Sequence, residues 1–128
     1  MIYGIGTDIV SIERIRRALD RHGERLARRV LAPQEVGAFE AASDQGAFLA
    51  KRFAAKEAAV KALGIGFRDG LVLRDIYVEH DRLGKPELRF QNKAREFADR
   101  AGVGEGFISV TDEKDYALAF VTLCLKQG

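Results

Sequence analysis

The 128-residue sequence has a single cysteine, Cys124, so no disulfide can form within the chain and nothing points to an oxidising compartment. Its only histidines, His22 and His80, do not stand with Cys124 at zinc-ligand spacing, and no zinc site is indicated. Both are expected at the surface and Cys124 in the core. No segment is apolar for long enough to cross a bilayer. The opening MIYGIGTDIV has no basic stretch and is too short for a signal sequence, so a cytoplasmic protein with no membrane partner is expected. The glycine-containing stretches G-I-G-T-D and G-I-G-F-R-D-G lack both the GK[ST] ending of a P-loop and the full GxGxxG spacing, so neither makes a standard nucleotide loop. Without a linker, a repeat or a low-complexity tract, residues 1–128 are expected to form one domain.

What is present suits a globular protein. The apolar share of 47% is enough for a core. That core is small, so a demanding ligand is expected to be shared between subunits. The net charge is only +2, but Arg14, Arg16, Arg17, Arg21, Arg25, Arg28 and Arg29 crowd the first quarter. Such a local excess fits an acidic partner or a phosphate-rich ligand, and equally a solvated helix face.

Residues 2–10 alternate and are rich in β-branched side chains, which predicts a strand with Ile2, Gly4, Gly6, Asp8 and Val10 on one face. The glycines beside the carboxylate leave room for another element or a ligand to approach. Ser11 can cap a helix running to Gly23. A second helix is predicted over Glu24–Leu31, and a third from Pro33 to about Ala42. If the first two are collinear, Arg14, Arg17, Arg21, Arg25 and Arg28 form one stripe. Gly46–Leu63 is the strongest helix, alanine-rich and ending at Gly64, with Ala50, Ala54, Ala58 and Ala62 as a small-residue rail. Beyond the turn G-I-G-F-R-D-G the pattern predicts a strand over Leu73–Glu79, a turn through D-R-L-G-K-P and a strand over Glu87–Phe90. A helix over Asn92–Ala101 and strands near Gly106–Asp112 and Tyr116–Leu125 complete the chain. The last strand is apolar on both faces and so is expected to be central and covered on both sides, part of that cover coming from another subunit. The elements define an α+β fold with a mostly antiparallel sheet packed on a long central helix.

Two carboxylates stand in unusual settings. Asp8 interrupts an apolar, glycine-rich strand, where a buried charge requires a partner. It could hold a metal, or it could cap the following helix or end the strand in water. Glu57 lies in F-A-A-K-E-A-A-V-K-A-L-G with Lys61 one turn on. An exposed Glu–Lys pair at that spacing contributes only a few tenths of a kcal/mol. A buried one suits a site where the carboxylate takes a metal and the ammonium a phosphate. Two carboxylates with several basic residues match what Mg²⁺-assisted phosphate chemistry requires, and the residues by themselves go no further than "divalent metal plus anion".

G-I-G-T-D-I-V-S-I-E-R-I resembles the opening motif of the AcpS-type 4'-phosphopantetheinyl transferases, and F-L-A-K-R-F-A-A-K-E-A-A-V-K-A-L-G resembles their central helix motif. G-K-P at residues 84–86 and I-S-V-T-D-E-K-D-Y-A-L-A-F-V fall where the family has looser later motifs, so the resemblance spans the chain. It implies the phosphopantetheinyl transferase fold, assembled as a homotrimer with active sites between subunits. It further implies transfer of 4'-phosphopantetheine from coenzyme A to a serine of apo-acyl carrier protein, in fatty acid biosynthesis, with Mg²⁺ as cofactor and no nucleic-acid partner. By that resemblance Asp8 and Glu57 are the metal carboxylates, and Glu57 and Lys61 the catalytic residues. Lys61 and Arg52 meet coenzyme A phosphates, and Pro86, Ser109 and Thr111 lie near its nucleotide. Arg14, Arg17 and Arg21 meet the acidic carrier helix. Many members have a histidine where this chain has Asp112, so no coenzyme role is carried onto that residue. A nucleotide- or protein-binding module, or another Mg²⁺-dependent phosphotransferase or pyrophosphatase, are the alternatives.

Overall fold

A computed structural model describes residues 1–68 and 70–127. Along the described chain run β1 (Ile2–Ser11), α1 (Ile12–His22), α2 (Glu24–Val30), α3 (Val36–Ala41), α4 (Gln45–Leu63), β2 (Ile76–His80), β3 (Pro86–Phe90), α5 (Asn92–Ala101), β4 (Val103–Asp112) and β5 (Tyr116–Leu125). Every strand pairing is antiparallel, in a three-stranded sheet ordered β1-β5-β4 and a separate β2-β3 hairpin. The fold is α+β, and β5 is central as expected. Two predicted elements begin differently. Pro33–Glu35 and Leu73–Asp75 are single 3-10 turns, so α3 starts at Val36 and β2 at Ile76. In each turn the carboxylate of its third residue accepts a backbone N–H from just before the turn, Ala32 for Glu35 and Val72 for Asp75, which holds the chain in a tight bend. The predicted G-I-G-F-R-D-G turn includes Asp69, which lies outside the described residues.

Ser11 caps α1, its hydroxyl accepting from the Arg14 N–H at 3.3 Å. The helix ends at Gly23, whose φ of 54° breaks the axis before α2 begins, so the predicted arginine stripe falls into two segments. Asp44 caps α4, accepting from the Ala47 N–H at 3.1 Å, and Gly64 terminates it in the left-handed conformation at φ 82°.

The contact between α4 and β1 explains both the glycines and the alanine rail. A Cβ on Gly6 would overlap the Ala58 carbonyl oxygen and stand 2.8 Å from the Ala62 nitrogen, and one on Gly4 would overlap the Ala62 carbonyl oxygen. Only glycine lets the strand lie this close to the helix backbone. The Tyr3 hydroxyl ties the same contact by donating to the Leu63 carbonyl at 3.1 Å. Around this seam pack Ile12, Leu63, Ile76, Val121 and Leu123, all buried, each side chain contributing about 1.5–3 kcal/mol.

Among the described residues, only one face of the three-stranded sheet is covered. Ala117, Ala119, Val121 and Leu123 are buried on the α4 side. On the other side Ile5, Ile9, Phe107, Tyr116, Leu118 and Phe120 remain exposed, Ile9 by 60% and Phe120 by 43%. Cys124 belongs to this outer face and is only partly buried, against the expectation of a core position. His22 and His80 are exposed, as expected.

Candidate active site

The close seam brings three predicted residues together. Asp8 points from β1 to the α4 side, following Gly4 and Gly6, and Glu57 and Lys61 stand one turn apart on α4. Lys61 Nζ donates to Asp8 Oδ1 at 3.0 Å and to the Thr7 carbonyl at 3.0 Å. This corrects the expected buried Glu57–Lys61 pair. The ammonium reaches across the seam to Asp8, and Lys61 stays half exposed. Nor does Asp8 cap α1, since Ser11 does.

Glu57 has no ion pair or side-chain hydrogen bond among the described residues, although it is partly buried. Burial pushes its carboxyl above the usual glutamate range, the charge of Asp8 pushes it further, and Lys61 offsets part of this. Two carboxylates thus stand near one ammonium that bonds only Asp8 of the two, leaving negative charge that a cation would relieve. No group of three or more His, Cys, Asp or Glu side chains forms a metal cage among the described residues. A two-carboxylate set fits Mg²⁺, which keeps waters and takes substrate phosphates as its remaining ligands, better than a fully protein-ligated ion.

Beside Glu57 opens a hollow of about 620 Å³ walled by Phe53, Leu71 and Leu73 and rimmed by Arg28, Arg29 and Arg74. Arg14, Arg17 and Arg21 lie exposed on α1, with Arg17 bonded to Glu13 at 3.3 Å.

The remaining predicted residues lie elsewhere. Arg52 and Pro86 line a second hollow of about 250 Å³, together with Lys51, His80, Val110 and Asp112. Asp8 and Val110 are both level with Ala119 of β5, one on each edge strand, so their backbones are about 10 Å apart across the sheet. Arg52 is therefore not beside Lys61. Its guanidinium lies 4.4 Å over the Phe48 ring and donates to Glu35 Oε2 at 3.3 Å. Asp112 faces Lys51 at 3.8 Å. Partial burial and the charges of Arg52 and Lys51 pull His80 down, with Asp81 opposing them. Ser109 and Thr111 stand on the exposed outer face of β4, beside Phe120 and Leu118.

Sequence reasoning missed the polar centre behind Arg52. Glu35 and Lys56 are buried, and the Lys56 ammonium donates to Glu35 Oε1 and to the Val30 carbonyl, both at 2.5 Å. The signal for Lys56 was present, since it is flanked by Ala54, Ala55, Ala58 and Ala59, all buried. Glu35 offered none, because its cationic partners lie 17 and 21 residues away.

The chain has close counterparts. The model of the 4'-phosphopantetheinyl transferase superfamily matches residues 4–121. A holo-[acyl-carrier-protein] synthase of Halorhodospira halophila is 58% identical over 96% of this chain and 98% of its own. The crystal structure of holo-[acyl-carrier-protein] synthase from Neisseria meningitidis superposes with a TM-score of 0.90 at 45% identity, covering 96% of this chain and 98% of that one. That of the Helicobacter pylori enzyme in complex with coenzyme A superposes at 0.82 with 29% identity, covering 94% and 99%. The chain belongs to the 4'-phosphopantetheinyl transferase superfamily. Within it, the relatives it resembles over nearly their whole length are holo-[acyl-carrier-protein] synthases.

Proposed function

We propose that this chain transfers 4'-phosphopantetheine from coenzyme A to a serine of an apo-acyl carrier protein, releasing adenosine 3',5'-bisphosphate; its relatives' names support the carrier and the coenzyme, and the family's name the transferred group. The observation that carries the site assignment is the convergence of Asp8, Lys61 and the unpaired Glu57 at one seam. Asp8 and Glu57 would hold Mg²⁺, which when bound supplies positive charge against the coenzyme's pyrophosphate. Lys61 presents its ammonium where charge develops on the leaving phosphate. Glu57, raised in proton affinity by burial and by Asp8, is suited to take the serine proton, directly or through a water.

The distribution of groups supports an assembly with sites between subunits. Arg52, expected at the coenzyme's phosphates, and Pro86, expected near its nucleotide, do not adjoin the Asp8–Glu57 pair on one chain, whereas one coenzyme molecule must reach both. The uncovered apolar sheet face supplies a surface on which copies of the chain could pack, and a homotrimer is the assembly proposed, with Ser109 and Thr111 of that face near the nucleotide. Arg14, Arg17 and Arg21, exposed on α1, suit docking of an acidic carrier. No helix among the described residues is long and apolar enough to cross a membrane, and we place the enzyme in the cytoplasm, as a single domain, serving fatty acid biosynthesis.

Incubation with coenzyme A, Mg²⁺ and an apo-carrier, followed by weighing the carrier, tests the proposal. The expected result is the phosphopantetheine mass increment. Coenzyme A binding with no increment would identify a binding module. Coenzyme A consumption with an unmodified carrier would identify a different phosphotransferase or pyrophosphatase.

A further inference from the structure

The network behind the second hollow has an unbalanced charge. Lys56, Arg52 and Glu35 are all buried, Lys56 with no exposed surface, and they sum to one net positive charge. Glu35 accepts four hydrogen bonds. The Ala32 N–H and Lys56 reach Oε1 at 2.9 and 2.5 Å, and the Val78 N–H and Arg52 Nη1 reach Oε2 at 3.0 and 3.3 Å. Its two backbone donors come from the loop after α2 and from β2, and its cations from α4, so the carboxylate is fixed in place from three directions. A carboxylate fixed this way becomes a rigid post for whatever bonds to it.

Arg52 gives only Nη1 to that post. Its Nη2 and Nε have no partner among the described residues, and the side chain lines the hollow that also holds Lys51, His80 and Pro86. Burial opposes the charges of both Arg52 and Lys56, and Glu35 offsets that opposition only in part. Had Glu35 served Arg52 alone, the pair would be neutral and a further anion would have little to gain. Because Lys56 also takes up Glu35, the Arg52 guanidinium keeps charge to offer.

We infer that Glu35 and Lys56 are positioning residues for Arg52. Glu35 fixes the guanidinium at the wall of the hollow, and Lys56 neutralises Glu35 so that the free edge of Arg52 binds a phosphate of coenzyme A. The inference rests on the proposed role of Arg52 toward coenzyme A and extends it to two residues that lie behind it. Neither of them touches the substrate.

A cycle of coenzyme A affinities, measured by calorimetry on Glu35→Gln, Arg52→Ala and the double variant, tests this. Arg52→Ala should weaken binding about tenfold or more, the range for loss of a charged hydrogen bond. Glu35→Gln should weaken it about tenfold in the wild-type background and less than twofold once Arg52 is gone. Should Glu35→Gln fail to fold, Lys56→Met serves the same cycle. It conserves volume and leaves Glu35 bonded to Arg52 and two backbone N–H groups. Its loss of affinity should likewise vanish in the Arg52→Ala background. Equal losses in both backgrounds, as a merely structural role would give, overturn the positioning role while leaving Arg52 a coenzyme contact. Wild-type affinity in Arg52→Ala itself overturns the role proposed for Arg52, and the positioning role with it.

Discussion

Gly6→Ala tests the link between the fold and the site. A methyl at this position overlaps the Ala58 carbonyl and sits 2.8 Å from the Ala62 nitrogen, and both are helix backbone that cannot rotate away. Ordinary contact distances require the strand to withdraw from α4 by about 1 Å. Overpacking of this kind costs about 1–3 kcal/mol, which for a domain of this size lowers the melting temperature by roughly 4–11 °C. Withdrawal also pulls Asp8, two residues along the same strand face, away from Lys61 and Glu57. A displacement near 1 Å at a reacting centre costs about a hundredfold in rate. Thermal unfolding and carrier modification should therefore both fall, the activity loss persisting at temperatures where the variant is fully folded. Gly37→Ala is the control. Among the described residues it has no atom within 4 Å of the added methyl, and it should be neutral or slightly stabilising. A Gly6→Ala enzyme with unchanged melting and unchanged transfer would refute the account of the seam.

Other predictions concern the charged groups. Because the folded-state affinity of Glu57 for a proton is raised, its contribution to metal-free stability is fully present at low pH and is lost as pH rises through the raised value. Glu57→Gln should flatten that decline in melting curves recorded without metal. Added Mg²⁺ should restore wild-type stability at neutral pH and leave the variant's unchanged. Arg14→Glu should weaken carrier binding measured by calorimetry and spare coenzyme A binding, since Arg14 is exposed and is not among the residues that line either hollow. Asp112→Asn should tighten coenzyme A binding a few-fold by freeing Lys51, its partner at 3.8 Å, for the phosphate. Unchanged or weaker binding would place Lys51 outside the coenzyme contacts.

Local chemistry made much of this legible in the sequence. Ser11 and Gly64 bound their helices as their cap preferences require. Gly4 and Gly6 on one strand face, and the alanine rail on α4, each announced a close approach. They proved to be the two sides of one contact, which pattern alone could not pair. The meeting of Asp8 with Glu57 and Lys61 follows from that contact across about 50 residues of chain. The partner of Lys61 was misjudged because helical spacing favours Glu57, while the seam offers Asp8 and the Thr7 carbonyl instead. Arg52 was placed with Lys61 at the coenzyme's phosphates by the family resemblance, although the two face opposite sides of α4. Glu35 was invisible, since a buried carboxylate whose cationic partners lie on another element leaves no local pattern. The outer face of β5 looked like core because apolar periodicity records burial without saying which chain provides it.

The central claim is that Asp8 and Glu57 form the metal pair of a phosphopantetheinyl transfer site. Carrier mass measured after reaction with Asp8→Asn and with Glu57→Gln, each over a Mg²⁺ titration and each shown by circular dichroism to be folded, tests it most directly. The account predicts that both folded variants leave most of the carrier unmodified at Mg²⁺ concentrations where the wild type converts all of it. Full conversion by either variant at the wild-type Mg²⁺ concentration would contradict it.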